Sequence, residues 1–356
     1  MDREVCELIM NQPTETNLLN RHFRFPAEWE PQSASWLSWP HNLETWPENL
    51  EAARAEFVKL VVSIACSQPV MVMVSGEAHD SAQRALGSVD NVSLVEISTN
   101  DAWARDYAPS FVIDSAGQLV AIDWHYNAWG GKYPPFEDDQ QVAKRVAAWL
   151  GIECVSPKFC FEGGAIEVND EGILLCTKSC ALDPNRNPGL GLQDAESILK
   201  SSLGAKKIIW LTGDAIEGDD TDGHIDQLAR FTDRKTIVYA WTDDESDSQL
   251  AALKQNRDDL RTQLDANGLG HYCLIPLRIP SPQQLCGRRV PASYCNFLIT
   301  NQSVIVPQFD VPEDGVALAT LAPLFPNRKL IGLASKNLSV GLGSFHCLTQ
   351  QQPKVR

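Results

Sequence analysis

Gly172-Ile173-Leu174-Leu175-Cys176, then Gln193–Leu203, then Lys207-Ile208-Ile209-Trp210-Leu211: a short apolar run, an amphipathic stretch and a second apolar run follow one another. Short apolar runs bounded by glycine or polar residues read as strands, whereas apolar residues one turn apart read as a helix. Outward from this unit the strand-like runs recur at Val70–Val74, Val92–Ile97, Thr236–Ala240, Phe297–Thr300 and Ser303–Pro307. Helical stretches lie between several of them, at Glu48–Cys66, Asp80–Leu86, Asp138–Leu150, Asp244–Asn267 and Gly315–Leu324. The alternation predicts an α/β fold, and from alternation alone a doubly wound parallel sheet is the default. No Ser/Gly-rich or Pro-rich linker divides the 356 residues, so one continuous domain over 1–356 is expected. Gly163-Gly164 and Gly341-Leu342-Gly343 lack the spacings that cradle phosphates, and nothing asks for a nucleotide.

Charge narrows the partners. Thirty Lys and Arg against 46 Asp and Glu leave a net charge of −16. Such a field disfavours nucleic acid and anionic membrane and draws in a small cation. The start, Met1-Asp2-Arg3-Glu4-Val5-Cys6-Glu7, does not read as a secretory signal. The longest apolar stretch, Leu60–Val74, is cut by Ser63, Ser67, Gln68 and Pro69 and is not expected to cross a bilayer. A cytoplasmic location with reduced thiols is expected, since the ten cysteines are scattered rather than dense. Nothing local fixes an interface, and a homo-oligomer is left open.

Four segments concentrate reactive side chains: Asp101–Tyr107, Phe161-Glu162-Gly163-Gly164, Asp219–Asp226 and Gly343-Ser344-Phe345-His346-Cys347. Cys347 becomes a nucleophile only as a thiolate, which needs a base or cation beside it. His346 is a poor partner if the segment is extended, because neighbours along a strand face opposite ways. Among the other histidines His224 stands out for its acidic, Gly-flanked setting. If His224-Ile225-Asp226 is a strand, His224 and Asp226 share one face. Against these readings, a lone cysteine is usually a buried hydrophobe and an acidic run usually a solvated loop or cap. Tryptophans 103, 124 and 129 are core by default. The Cys176 and Cys180 pair lacks a second pair or a suitable histidine, so zinc is not expected.

Taken in order, further segments join these: Phe25–Pro31, Trp103-Ala104-Arg105-Asp106, Asn127–Pro135, Leu182–Pro188, Gly218–Asp226 and Phe345–Gln351. Together they resemble the agmatine deiminases, grouped with the bacterial-type peptidylarginine deiminases in the guanidino-group-modifying superfamily. The resemblance spans nearly the whole chain. It implies a five-bladed α/β propeller of ββαβ-like repeats, the pentein fold, in place of the doubly wound default. It implies Cys347 as nucleophile, His224 as general acid/base, Glu162 as the carboxylate orienting that histidine, and Asp106 and Asp226 as guanidinium acceptors. It further implies that Trp103 flanks the substrate's aliphatic chain and that Asp220 takes its distal amine. No metal and no organic cofactor are implied. Agmatine is favoured as substrate over free or peptidyl arginine, for whose carboxylate Arg105 and Arg186 are candidate cations. Two departures from the family pattern, Ala108 after Arg105-Asp106-Tyr107 and Leu342 within the glycine run, fall on pocket shape rather than on a reactive group. A papain-like protease using Cys347, a histidine and Asn296, a dihydrolase or amidinotransferase keeping Cys347 and His224, and a non-catalytic ligand-binding propeller are the competing classes.

Overall fold

The computed structural model describes residues 22–213, 215–285 and 287–355. The Met1–Glu7 start, Cys6 and Cys286 lie outside the described residues. The strands are short and gather in sequence order. β1 (Gln32–Ser38), β2 (Val70–Val74) and β3 (Val92–Glu96) form one sheet. β4 (Ser110–Ile113), β5 (Leu119–Ile122) and β6 (Glu153–Val155) form the next, followed by β7 (Glu167–Val168), β8 (Ile173–Thr177) and β9 (Lys207–Leu211). β10 (Ala229–Phe231), β11 (Thr236–Trp241) and β12 (Cys273–Arg278) make a fourth. A hairpin of β13 (Gln283–Leu285) and β14 (Arg288–Val290) precedes the fifth, built from β15 (Leu298–Ile299), β16 (Ser303–Gln308) and β17 (Lys329–Ala334). The last strand, β18 (Thr349–Pro353), pairs antiparallel with β1, so both ends of the described chain share a sheet.

Every sheet repeats one pattern. In the four sheets that start at β4, β7, β10 and β15 the first two strands run antiparallel and the next pair parallel, with a helix in the parallel crossover, and in the other β18, β1 and β2 do the same with β3 added parallel. This is the ββαβ unit of the pentein fold. The doubly wound sheet expected from alternation is therefore replaced by five small mixed sheets. Alternation cannot tell the two apart, because both place helices between parallel strands.

The local reasons are ordinary. The helix Leu50–Ala65 buries Ala53, Phe57, Leu60, Val61 and Ile64, one or two turns apart, and Pro69 bars its continuation. β8 is buried along its whole length, which matches an unbroken apolar run instead of an alternating one. The predicted helix Gln193–Leu203 is observed as Leu192–Leu203 and the run Lys207–Leu211 as β9.

One fold-wide detail places the site. A turn stands just before the first strand of each sheet: Ala104–Tyr107 before β4, Gly163–Ala165 before β7, Ile225–Leu228 before β10, Tyr294–Asn296 before β15, and residues 345–348 before β18. Beneath these turns Arg230 ties three parts of the chain together. Its guanidinium bonds Glu28 and, at 2.7 Å, Glu167, and donates to the carbonyls of Cys295 and Phe297 at 3.1 and 2.9 Å. Glu28, Glu167 and His346 cluster as metal ligands might, but Arg230 already supplies their cation. Replacing a fully buried arginine strands two carboxylates, so Arg230→Leu should lower stability by roughly 3–5 kcal/mol in equilibrium urea unfolding.

Candidate active site

Four of the five turns carry residues singled out from the sequence, and the fifth carries one that was weighed only for a different class. Asp106 is in the first, Glu162 immediately precedes the second, and His224 precedes the third, which holds Asp226. Asn296 ends the fourth. Cys347 lies in the last. All are buried.

His224 sits between two carboxylates. Its Nδ1 is 3.6 Å from Oδ1 of Asp106 and its Nε2 is 3.5 Å from Oε2 of Glu162. Burial opposes a charged ring, but Asp106, Glu162 and Asp226 overcome it and raise its pKa to about 9. Glu162 is itself gripped by Arg186, whose Nε donates to Oε1 at 2.8 Å while Nη1 reaches Asp222 at 2.6 Å. Burial pushes the Glu162 carboxyl up, yet Arg186 and His224 hold it below the usual range. Asp106 accepts from the Trp129 indole and the Gly164 amide, both at 3.0 Å. Burial dominates there, helped by Asp226 and Glu162 against His224, and lifts its pKa to about 6.

The Cys347 thiol donates to Oδ2 of Asp226 at 3.5 Å and accepts from Nδ2 of Asn296 at 3.1 Å. Burial, then Asp226 and Asp106, push its pKa well above the ordinary thiol value. The resting group is thus a thiol. Asp226 also accepts from His346 Nδ1 at 2.8 Å and is held below the usual range despite burial, chiefly by His346 and then His224. Its Oδ1, like Oε2 of Glu162, is buried with no hydrogen-bond partner. An array of carboxylate oxygens without matching donors is what a planar cation with several N–H groups would complete.

A cavity of about 620 Å³ opens onto Cys347 and Asp106. Trp103, Trp129, Tyr126 and Tyr133 line it with Asp101, Asp139 and Asp220. Trp103 packs against the glycine run, where a Cβ on Gly343 would stand 2.3 Å from its ring. Asp220 accepts from the Tyr133 hydroxyl. A second cavity of about 540 Å³ lies behind Arg186, between His125, Lys144 and Asn187, and its lining includes none of the predicted site residues.

The structure corrects two readings and places the two candidate arginines. His224 and Asp226 do not share a strand face: His224 caps the helical turn Ile225–Leu228 and Asp226 lies inside it. Cys347 is in a turn, not an extended segment, so His346 is turned to Asp226 and Glu28 instead of away from the site. Arg105 and Arg186 do not line the cavity: Arg105 bonds Gln350, Gln351 and the His346 carbonyl, and Arg186 serves Glu162 and Asp222. Of the departures, Ala108 has an ordinary extended backbone, whereas Leu342 stands at φ 71°, where glycine is favoured. Trp103 and Trp129 are buried as expected of core residues, but they also form the cavity wall. Asn296, Arg186 and Trp129 belong to the site without having been assigned to it, and no local pattern marks which way they point.

A family model described as Porphyromonas-type peptidyl-arginine deiminase matches residues 24–353. This chain belongs to that family. It is accordingly a hydrolase of carbon–nitrogen bonds in guanidino groups. An agmatine deiminase of Pseudomonas putida is 36% identical over 93% of this chain and 95% of its own. A cysteine-to-serine variant of the C. jejuni agmatine deiminase with substrate bound superposes with a TM-score of 0.87 at 31% identity, over 97% of this chain and 99% of that one. The agmatine deiminase of Enterococcus faecalis does so with a TM-score of 0.88 at 32% identity, over 93% and 96%. Among the described residues no helix is long and apolar enough to span a membrane.

The close approach at Gly164 is testable. A Cβ there would lie 2.4 Å from His224 Nδ1 and 2.7 Å from Asp106 Oδ1. Gly164→Ala should lower kcat about a hundredfold while the protein stays folded by circular dichroism, because displacing two groups of the site by a fraction of an ångström disrupts alignment.

Proposed function

We propose that this protein is an agmatine deiminase, hydrolysing the guanidinium of agmatine to N-carbamoylputrescine and ammonia. The observation that carries the choice of substrate is the cavity wall. Beside Cys347 it presents Asp101, Asp106, Asp139 and Asp220 and, among its described residues, neither lysine nor arginine. Agmatine is cationic at both ends, and such a wall suits it. A free arginine would bring a carboxylate with no cation to meet it, and an unpaired buried charge is a strong ground for rejection. The curated relatives that carry the agmatine deiminase name support the same reading.

In this reading Asp106 and Asp226 hold the guanidinium flat by accepting its N–H groups. Burial, together with the charges of Asp226 and Asp106, keeps the Cys347 thiol protonated, and the arriving cation offsets those two charges. The thiol proton passes to solvent water through the cavity, and the thiolate attacks the guanidino carbon to give a tetrahedral adduct. His224, protonated at rest, gives its proton to the departing nitrogen, which leaves as ammonia and yields a thiouronium on Cys347. The now neutral His224 takes a proton from water as the oxygen adds to that carbon. Collapse passes the remaining hydroxyl proton to the departing sulfur, so Cys347 returns to the thiol and the carbamoyl product is left, with His224 again protonated. Glu162, locked by Arg186, keeps the ring in place through both halves. Trp103 flanks the methylene chain and Asp220 meets the distal ammonium.

Two outcomes check this. Ammonia release should be seen with agmatine, be lost in Cys347→Ala, and be absent with a blocked arginine amide; turnover of the amide instead would move the protein to the peptidylarginine branch. Asp106→Asn and Asp226→Asn should each lower kcat by at least about a hundredfold, and a near-normal rate in either would remove that residue from the mechanism. The pH profile follows from the same groups. Asp106 must be ionised and His224 protonated, so kcat/KM should fall below about pH 6 and again above about pH 9. A plateau running across either boundary would contradict the assignment.

A further inference from the structure

Asn127-Ala128-Trp129-Gly130-Gly131 bends in the unusual sense. Ala128 and Trp129 stand at φ 53° and 56°, and Gly130 and Gly131 at 87° and 80°, so four consecutive residues make one turn of left-handed helix. Glycine accepts this at no steric cost, but for Ala128 and Trp129 it is disfavoured, and such conformations persist only where surroundings impose them. The surroundings do. Oδ1 of Asn127 accepts from the Gly130 amide at 2.8 Å, its carbonyl from the Gly131 amide at 2.7 Å, and its Nδ2 donates to the Asn185 carbonyl at 3.0 Å.

The turn delivers one buried donor to the site. The indole of Trp129 packs edge-on against Tyr126 and Tyr133, with ring centres 5.6 and 5.8 Å away, and points its Nε1–H at Oδ2 of Asp106. The Gly164 amide holds the other oxygen. An indole N–H only donates and does not change charge, so it favours the carboxylate over the carboxylic acid at any ordinary pH. The next residues reach the acidic loop opposite: Lys132 Nζ bonds Asp222 at 2.7 Å and the Tyr133 hydroxyl bonds Asp220.

We propose that Trp129 is a positioning residue for the hydrolysis, its left-handed turn existing to aim the indole N–H at Asp106 and so fix the carboxylate that receives the guanidinium. This rests on the deiminase reading of the site. The groups facing Asp106 are His224, which favours its ionised form, and Asp226 and Glu162, which oppose it; Trp129 adds to the favourable side. Losing the N–H therefore raises the Asp106 pKa from about 6, and the acidic limb of kcat/KM moves up with it.

The experiment is the pH profile of agmatine hydrolysis by Trp129→Phe beside the wild type. The expected result is a kcat/KM about tenfold lower near pH 6.5, as for a lost hydrogen bond to a charged group, recovering partly toward pH 8.5. The limb should move upward by at least about half a pH unit. A merely structural role would lower the rate equally at every pH, and that result, or an unmoved limb with kcat/KM within about twofold of wild type, overturns the proposal. If the phenylalanine variant does not fold, benzothienylalanine at 129 keeps the ring shape and removes only the N–H, with the same expectations. A wild type that does not turn over agmatine would instead contradict the functional reading.

Discussion

Buried negative charge is the constraint on which the rest of this protein depends. Asp106, Asp226 and Glu162 lie in one buried cluster with His224 between two of them and His346 against the third, and two of their oxygens have no hydrogen-bond partner. Burial alone would protonate such carboxylates. Each is therefore given a dedicated donor: the Trp129 indole for Asp106, the His346 imidazole for Asp226 and the Arg186 guanidinium for Glu162. Asp226 and Glu162 stay ionised, Asp106 is left near the edge of ionisation, and the Cys347 thiol is kept protonated. In the proposed reaction a cationic substrate is both the missing partner of these oxygens and the trigger that ionises Cys347.

The fold makes this cluster possible by repetition. A turn stands just before each of the short strands β4, β7, β10, β15 and β18, one in each of the five sheets. Residues far apart in sequence, from Asp106 to Cys347, thereby reach one place from equivalent positions. The same geometry explains the glycines. Gly164 lies so near His224 and Asp106 that a single methyl group would collide with both. Arg230, Glu28 and His346 form a layer behind the site that carries the charge pattern from Asp226 into the frame of the protein.

Much of the α/β content was legible in the sequence because it rests on periodicity. The helices Leu50–Ala65 and Leu192–Leu203 and the strands β2, β8 and β9 follow from apolar spacing alone. The sheet arrangement was not, since five small mixed sheets and one large parallel sheet give the same alternation; ordered motif resemblance, not periodicity, pointed to the pentein fold. Edge strands such as β7 and β10 are too short to leave a pattern. The site was legible as far as its motifs reach: Cys347, His224, Asp226, Asp106 and Glu162 come together. Strand-face geometry does not apply to His224 and Asp226, because a helical turn and not a strand carries Asp226. The turn likewise directs His346 to Asp226 and Glu28 and not to Cys347. Trp129 and Arg186 were hidden for a different reason, since the direction of a side chain depends on contacts made between distant segments and not on its neighbours in sequence.

In the proposed reaction Cys347 rests as a thiol because it is buried beside Asp226 and Asp106, and it ionises when a bound cation offsets those charges. The direct measurement is the rate of alkylation of Cys347 by iodoacetamide in the free enzyme as a function of pH, read at that residue by peptide mass spectrometry. The rate should still be climbing at pH 9, with the rise moved to lower pH in Asp226→Asn. A rate already level at neutral pH, unchanged by that substitution, would contradict it.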